Sequence, residues 1–363
     1  MTITLQTNVS YTYKTVIIDE LGADVLKFIE KHVCLDDSNL SILLDTSSHL
    51  NLKSLHSFHG LFHGALHSVI NIKKLNNVKY INKFLEESND VLSLGGLFVG
   101  HIEASHNRKA RILNNYPQPL NRLVYFLDFV VKRVFPKFRL TKKIYFFLTQ
   151  GKNRVVSEME IYGRLYSCGF ELRDSQEING KLWIVGKKRT TPAFNTEATY
   201  GPLIKLKRHG KNNDLFNVYK LRTMHPFSEY LQEYVSSKYG LQKGGKFKND
   251  PRVTTAGRFF RKFWLDEVPM FINLFKGQMK LIGVRPLSSH YLGLYPDYLK
   301  ELRAQTKPGL VPPFYADMPD SLDDIFASEE AYIISYLKNP ISTDIRYFLM
   351  ATYNILIKRA RSN

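Results

Sequence analysis

Two adjacent carboxylates, Asp266 and Glu267, lie in one of the most basic parts of the sequence. Between Lys205 and Arg285 there are seventeen lysines and arginines against six aspartates and glutamates, and this pair supplies two of the six. A carboxylate can attack phosphorus as a nucleophile or bind a divalent cation that bridges phosphate oxygens, and surrounding cations can bind the anionic substrate. The pattern therefore indicates chemistry on a phosphorylated substrate, with Asp266 and Glu267 as candidate catalytic residues.

Two short helices are predicted to position this pair. Residues 254–264 (TTAGRFFRKFW) begin with threonines that can cap a helix. Asp266 is of a type favoured at the N-cap of a second helix, where Pro269 is tolerated in the first turn and Gly277 supplies a stop. At that position the helix dipole and free amide groups would keep Asp266 ionised and attract a phosphate, although a plain structural cap is the alternative interpretation. Glu267 would point to another side of the helix and could ligate a cation.

Basic side chains on both sides of the pair are candidate substrate ligands. Arg285 precedes Pro286 at the end of an apolar, strand-like run (QMKLIGVRP), which suits bidentate binding of a phosphate by a rigid guanidinium. Upstream, Arg208 lies beside a glycine turn, and Lys220 and Arg222 lie in the strand-like segment FNVYKLRTM. A glycine-rich segment, KGGKFK, follows at residues 243–248.

With these residues in view, residues 201–309 resemble the catalytic domain of the bacterial sugar transferase family, the monotopic phosphoglycosyl transferases. The matching pieces occur in the family's order: GPLIKLKRHG, FNVYKLRTM, DPRVTTAGRFFRKFWLDEVPMFINLFKGQMKLIGVRP, LYPDY and KPG. The resemblance implies transfer of sugar-1-phosphate from a UDP-sugar to undecaprenyl phosphate, which initiates exopolysaccharide or other glycoconjugate synthesis. It implies that Asp266 forms an aspartyl-phosphosugar as UMP leaves.

The resemblance also assigns further roles. It implies that Glu267 holds Mg²⁺ as the cofactor and that Arg285 contacts a substrate phosphate. Three more arginines fall in the family's other basic motifs and are candidate substrate-binding residues: Arg222, Arg252 and Arg261.

The sequence departs from the family pattern before the matched region. Family members have a hydrophobic re-entrant helix there, whereas residues 169–200 are too polar to insert into a membrane. No run reaches the roughly 18 to 20 apolar residues that span a bilayer, and no secretory signal is evident, so we expect a cytoplasmic protein without a transmembrane helix. Contact with an anionic membrane surface on the inner face would be peripheral, through residues 120–140 or 343–361. For both segments an ordinary core-facing helix is the alternative.

The first half of the sequence predicts an α/β fold. Apolar runs at residues 15–18, 42–44 and 97–102 are typical of buried strands, and residues 78–92 are typical of a helix, which favours a Rossmann-like domain with a mainly parallel sheet. Residues 83–103 and 169–188 resemble the later strands of the S-adenosylmethionine methyltransferase fold. No glycine-rich cofactor turn is found, so we predict no bound cofactor and leave the role of this domain open. A polar stretch near residues 190–200 places the boundary between domains 1–190 and 191–363, the second an α-rich α+β catalytic domain lacking the re-entrant helix.

Composition limits the other classes of function. The formal charge of +18 favours phosphorylated partners, but no recognition helix, zinc finger or aromatic RNA-binding motif is present, so we expect no nucleic acid partner. Cys34 and Cys168 have no metal or redox spacing. A catalytically silent or regulatory relative that binds a nucleotide or a protein is the alternative function, and a homo-oligomer is left open.

Overall fold

The computed structural model describes residues 9–35, 41–57, 64–194, 200–239 and 250–358, so the glycine-rich segment 243–248 lies outside the described residues. The chain forms two compact units, one of Met1–Gly201 with Met224–Arg252 and one of Pro202–Thr223 with Val253–Asn363. This division differs from the predicted boundary at residue 190, because Met224–Arg252 belongs to the first unit. The reason is hydrophobic packing: Leu231 and Val235 are fully buried in the core of that unit.

The first unit is an α/β structure. Its helices are α1 (Val9–Leu21), α2 (Ala23–Glu30), α3 (His49–Ser57), α4 (Ile81–Val91), α5 (Ser105–Asn115), α6 (Leu120–Phe129), α7 (Arg139–Thr149), α8 (Glu158–Ser167) and α9 (Gln232–Tyr239). Its strands are β1 (Ser41–Leu44), β2 (Leu66–Asn71), β3 (Leu92–Ile102), β4 (Phe170–Ile178) and β5 (Lys181–Lys188), in the order β1-β2-β3-β5-β4. Only β5 runs against its neighbours, so the sheet is rich in parallel strands, as predicted.

Most of the predicted elements of this unit are confirmed, and one is wrong. The predicted strands at residues 42–44 and 97–102 and the helix at 78–92 correspond to β1, β3 and α4. The predicted strand at residues 15–18 is instead part of α1, where Ile17 is buried in a cluster with residues of α2. A four-residue apolar run cannot by its period distinguish a strand from one turn of a buried helix.

The second unit is mainly helical. Its helices are α10 (Thr255–Lys262), α11 (Phe271–Phe275), α12 (Ser289–Leu292), α13 (Asp297–Ala304), α14 (Phe314–Asp317), α15 (Leu322–Lys338) and α16 (Pro340–Leu356), with a 3₁₀ helix (Leu265–Met270) between α10 and α11. Strands β6 (Leu203–His209) and β7 (Leu215–Leu221) form an antiparallel hairpin, and β8 (Lys280–Ile282) pairs in parallel with β9 (Gly309–Val311).

Several helices expose apolar side chains to solvent. Residues 120–140 do not form one helix: α6 passes through a π-helical and a 3₁₀ stretch before α7 begins. Within residues 120–140, Leu123, Phe126 and Leu127 of α6 are each more than half exposed, so the core-facing interpretation is wrong for these side chains. The following helix, α7, also exposes Ile144 and Phe147. Helix α16 packs one side into the core through Tyr347, as the core-facing alternative predicted, whereas residues 359–361 of the predicted segment lie outside the described residues. Among the residues described, no helix combines the length and the apolar character needed to cross a bilayer.

Candidate active site

A cavity of about 80 Å³ in the second unit brings four of the predicted site residues together. Arg208 from β6, Lys220 from β7, Glu267 from the 3₁₀ helix and Arg285 after β8 all line it. The rest of its wall is largely apolar and aromatic, as with Phe314. Since a cavity needs roughly 10–15 Å³ of such volume to hold one water molecule, this one can accept a group of about the size of a phosphoryl.

Asp266 is not the N-cap of a helix, contrary to the prediction. Trp264 occupies that position with a left-handed backbone (φ 54°), and Asp266 is the second residue of the 3₁₀ helix. The prediction failed because it could not anticipate this left-handed turn, which ends α10 and starts the next helix two residues earlier. Asp266 remains in the first turn, beside Glu267 in the chain.

The electrostatic surroundings of Asp266 also differ from the expected ones. Burial raises the pKa of its carboxyl above the ordinary value, and the charge of Glu267 raises it further. The positive charges of Lys220 and Arg261 and a backbone hydrogen bond oppose this shift without cancelling it. A partly desolvated carboxylate is a more reactive base and nucleophile than a fully hydrated one, at the cost of a higher pKa.

Glu267 is held by an ion pair with Lys220. The Lys220 Nζ lies 2.5 Å from Glu267 Oε1, and both side chains are partly buried. The pair joins the 3₁₀ helix that bears the two carboxylates to strand β7 of the hairpin. Because both residues line the cavity, the pair itself adds no net charge to the wall, and Arg208 and Arg285 supply the net positive charge.

Asn273 of α11 also holds strand β7 in place, through hydrogen bonds to its backbone. Its side chain is fully buried, and its Oδ1 accepts a hydrogen bond of 3.0 Å from the Tyr219 amide. Its Nδ2 donates to the carbonyl of Asn217 at 2.6 Å and to the Gln278 side chain at 2.9 Å. Strand β7, and with it Lys220, is therefore positioned by a buried amide that the sequence reasoning missed.

Helix α10 packs closely against the end of the hairpin. Thr254 caps the helix as predicted, because its Oγ1 accepts a hydrogen bond of 2.8 Å from the Gly257 amide. A Cβ atom at Gly257 would lie 1.9 Å from the Thr223 carbonyl oxygen, so only glycine permits this approach. Arg261 of the same helix also binds Thr223, because its Nε donates a hydrogen bond to Thr223 Oγ1 at 3.0 Å.

Arg285 has a fixed backbone and an exposed side chain. Its carbonyl accepts a hydrogen bond of 2.6 Å from Arg303, whose guanidinium forms a buried ion pair with Glu329. Burial lowers the pKa of Arg208, and the positive charge of Arg285 lowers it further. Two guanidinium groups that disfavour each other's charge are stabilised when an anion binds between them.

The remaining two predicted arginines differ in position. Arg222 follows β7 and is half-buried, and its backbone amide donates to the Pro202 carbonyl at 2.6 Å. Arg252 belongs to the first unit and is buried there, where its guanidinium contacts Asp250 and Gln232. These contacts give Arg252 a structural role in its own unit.

The helices just before and just after Asp266 and Glu267 in the sequence expose apolar side chains. Helix α10 exposes Phe259 and Phe263, and the 3₁₀ helix exposes Val268. Helix α11 exposes Phe271 and Phe275, the latter 87% exposed. Large exposed apolar surfaces commonly bind a partner or a lipid, and here the surface belongs to the elements that bear Asp266 and Glu267.

The C-terminal half of the chain matches a known family. Residues 190–358 match the family described as bacterial sugar transferase. The undecaprenyl-phosphate galactose phosphotransferase of Salmonella typhimurium is 43% identical over 108 residues, which are 28% of this chain and 22% of that protein. The exopolysaccharide production protein ExoY of Rhizobium meliloti is 31% identical over 138 residues, 37% of this chain and 60% of that protein.

A third relative is the UDP-N-acetylgalactosamine-undecaprenyl-phosphate N-acetylgalactosaminephosphotransferase of Aeromonas hydrophila, 42% identical over 89 residues, 24% of this chain and 18% of that protein. Residues 190–358 therefore belong to the bacterial sugar transferase family, as the motifs predicted. The matches span between 18% and 60% of the length of these three relatives.

One solved structure also matches part of the chain. It is a complex between the Haloferax volcanii Trm112 methyltransferase activator and a putative methyltransferase, with 10% sequence identity and a TM-score of 0.30. The match covers 52% of this chain and all of the other. A similarity of this size does not establish a shared fold.

Proposed function

We propose that this protein transfers sugar-1-phosphate from a UDP-sugar to undecaprenyl phosphate. The main supporting observation is that the cavity lined by Arg208, Lys220 and Arg285 also includes Glu267, while Asp266, the next residue in the chain, is not part of the lining. The elements that bear the two carboxylates expose apolar side chains. An amphiphilic lipid phosphate needs both surfaces, because its phosphate requires cations and its chain requires an apolar environment. The names of the relatives, which act with undecaprenyl phosphate, agree with this acceptor.

The reaction is proposed to proceed in two displacements. A carboxylate oxygen of Asp266 attacks the sugar-linked phosphorus of the donor, and the bond from that phosphorus to the bridging oxygen breaks as UMP leaves with the electron pair. A phosphate oxygen of the lipid then attacks the same phosphorus and displaces the Asp266 carboxylate, which is regenerated. The intermediate is an aspartyl-phosphosugar, and the cations at the cavity stabilise the charge on the phosphoryl oxygens in both steps.

Magnesium is the proposed cofactor, and Glu267 is its proposed ligand. No group of three His, Cys, Asp or Glu side chains suited to a metal is found among the described residues. Mg²⁺ is commonly bound by one or two carboxylates together with substrate phosphates, and the adjacent carboxylates of Asp266 and Glu267 fit that donor set. When bound, the ion would neutralise charge on the substrate phosphates.

The acceptor is proposed to be reached by peripheral contact with an anionic membrane on its inner face. The exposed phenylalanines of α10 and α11 would enter the lipid interface while nearby cations, such as Lys262 and Lys276, contact anionic headgroups. Exposed apolar side chains of α7, such as Phe147, and of α16, such as Ile345 and Leu349, are further candidates for such contact. Exopolysaccharide or other glycoconjugate synthesis is the process that such a product would serve.

The test is release of UMP from a panel of UDP-sugars by the purified protein with Mg²⁺ and undecaprenyl phosphate in detergent. Asp266→Asn should retain the fold and abolish release, because an amide cannot form the intermediate. Asp297→Asn is the matched control, since Asp297 is an exposed carboxylate of the same unit that pairs with Lys300. Wild-type turnover by the Asp266 variant would refute the nucleophile, and no release with any donor would favour a catalytically silent relative.

A further inference from the structure

The first unit contains a second, larger cavity of about 790 Å³ that the proposed transferase reaction does not use. Sites for small molecules commonly have volumes of about 300 to 1,000 Å³. Nine lysines and arginines line the cavity against two carboxylates, Glu86 and Glu160, so the lining has a formal charge of +7. Such a wall favours an anionic ligand.

The buried part of this charge is already neutralised. Arg133 and Arg164 both form ion pairs with Glu160, and all three residues are buried. These charges stabilise one another, and they lower the pKa of Glu160 far below its ordinary value despite its burial. All three residues line the cavity.

The remaining lysines of the lining carry the surplus charge. Lys132 lies between α6 and α7, and Lys142 and Lys143 lie on α7, while Lys79 and Lys83 lie before and within α4. None of these five makes an ion pair with a carboxylate in the part of the chain that the structure describes. Five like charges at one cavity repel one another, with only Glu86 of the described lining, near Lys83, left to offset them, and an anion with several charges relieves that repulsion.

Arg154 provides a second, independent sign of a ligand. Its Nη2 donates to the carbonyls of Val78 at 2.7 Å and Lys79 at 3.1 Å, but its Nε is buried without a hydrogen-bond partner among the described residues. Burial and the charge of Arg164 lower the pKa of Arg154 to about 10. A buried N–H group without an acceptor destabilises the protein, and an acceptor oxygen that reaches it removes that cost.

Helix α4 begins at the same cavity. Its first residues, Ile81, Asn82 and Lys83, line the wall, and its N-cap residue Tyr80 makes no capping hydrogen bond with its side chain. The amides of a first helical turn have no partner within the helix, and the dipole of an 11-residue helix adds positive potential there. Both effects favour phosphate oxygens.

The lining also has an apolar part. Pro136, Phe146, Val155 and Val156 contribute to the wall, and Phe146 is an aromatic ring that can contact a planar base. We propose that this cavity binds a nucleoside diphosphate or triphosphate, with the phosphates on the lysines and the start of α4 and the nucleoside on the apolar wall. The first unit is then a nucleotide-binding unit, separate from the donor site of the proposed transferase.

Calorimetric titration of the full chain tests this assignment, with ADP, GDP, UDP and their triphosphates as probes and pyrophosphate for comparison. We expect saturable binding of at least one nucleotide that weakens as salt is raised. Lys142→Glu should weaken it by about tenfold or more, because it reverses a charge at the wall. Lys142 is exposed, so the fold should persist, and Lys27→Glu on α2 is a matched change of an exposed lysine outside the cavity that should leave binding unchanged.

The variant Arg285→Ala separates the two cavities. Nucleotide binding that survives this change but not Lys142→Glu supports the proposal, whereas the opposite pattern places the nucleotide in the transferase unit and overturns it. Pyrophosphate that binds as tightly as the nucleotides would refute the role of the apolar wall. If no nucleotide binds, or if Lys142→Glu alters only binding to vesicles containing phosphatidylglycerol, the cavity has no nucleotide and the proposal fails.

Discussion

Replacing Asn273 by alanine should destabilise the second unit and disturb its cavity together. The substitution removes the three side-chain hydrogen bonds that join α11 to β7 and to the Gln278 side chain. The Tyr219 amide then loses its acceptor in a partly buried position, which costs about 1–3 kcal/mol. The Asn217 carbonyl can bind water instead because Asn217 is exposed, so losing its hydrogen bond adds less to the loss of stability. We expect a decrease of about 2–4 kcal/mol in the free energy of unfolding.

Gln278→Ala is the matched control, because it removes only one of the three bonds and leaves β7 attached through Asn273. Its expected cost is about 0.5–1.5 kcal/mol. Urea unfolding followed by fluorescence can isolate the second unit, since the chain has two tryptophans and Trp183→Phe leaves only Trp264 there. UMP release should fall for Asn273→Ala, which loosens the strand bearing Lys220, and stay close to that of the wild type for Gln278→Ala. Equal unfolding free energies for the two variants would refute the positioning role of Asn273.

Three further predictions concern the same unit. The carboxyl of Asp266 must be ionised to attack, and its pKa is raised by burial and Glu267 but lowered by Lys220. The acid limb of the pH profile of kcat/KM for UMP release should therefore move to higher pH in Lys220→Met and to lower pH in Glu267→Gln. Shifts in the same direction would contradict this electrostatic account. Gly257→Ala should cost about 3 kcal/mol or more in urea unfolding, since its Cβ would overlap the carbonyl beneath α10, and a variant as stable as the wild type would exclude that close packing. Phe275→Glu should reduce flotation of the protein with anionic vesicles. Leu294→Glu changes another exposed apolar residue of the unit and should not reduce it. Equal flotation of the two variants would count against membrane contact through α11.

The sequence predicted which residues lie together better than it predicted the backbone geometry of the site. Residue types pointed to Asp266 and to four residues that line one cavity, Glu267 among them, because nucleophiles and phosphate ligands are restricted to few side chains. The position of Asp266 could not be predicted, since it depends on the left-handed conformation of Trp264, which most tryptophans do not adopt. Asn273 was missed because an asparagine among exposed apolar residues gives no sign that its side chain is buried.

Periodicity had a similar limit in the first unit. It located the apolar residues of α6 correctly but could not tell whether they pack inward or face solvent, since both arrangements have the same spacing. The large basic cavity was also invisible to sequence patterns. Its lining comes from residues between Lys79 and Pro226, far apart in the chain and without a common motif.

The discontinuity of the two units has a practical consequence for work with fragments. A polypeptide cut after residue 201 would lack Leu231 and Val235 and so would leave a gap in the hydrophobic interior that they fill. Conversely, a polypeptide limited to the family match at residues 190–358 would carry Met224–Arg252 without the surface that covers those two side chains. Neither unit is one continuous stretch of the chain, so truncation is a poor way to assign activities to the units. Point substitutions in the intact polypeptide are the better method.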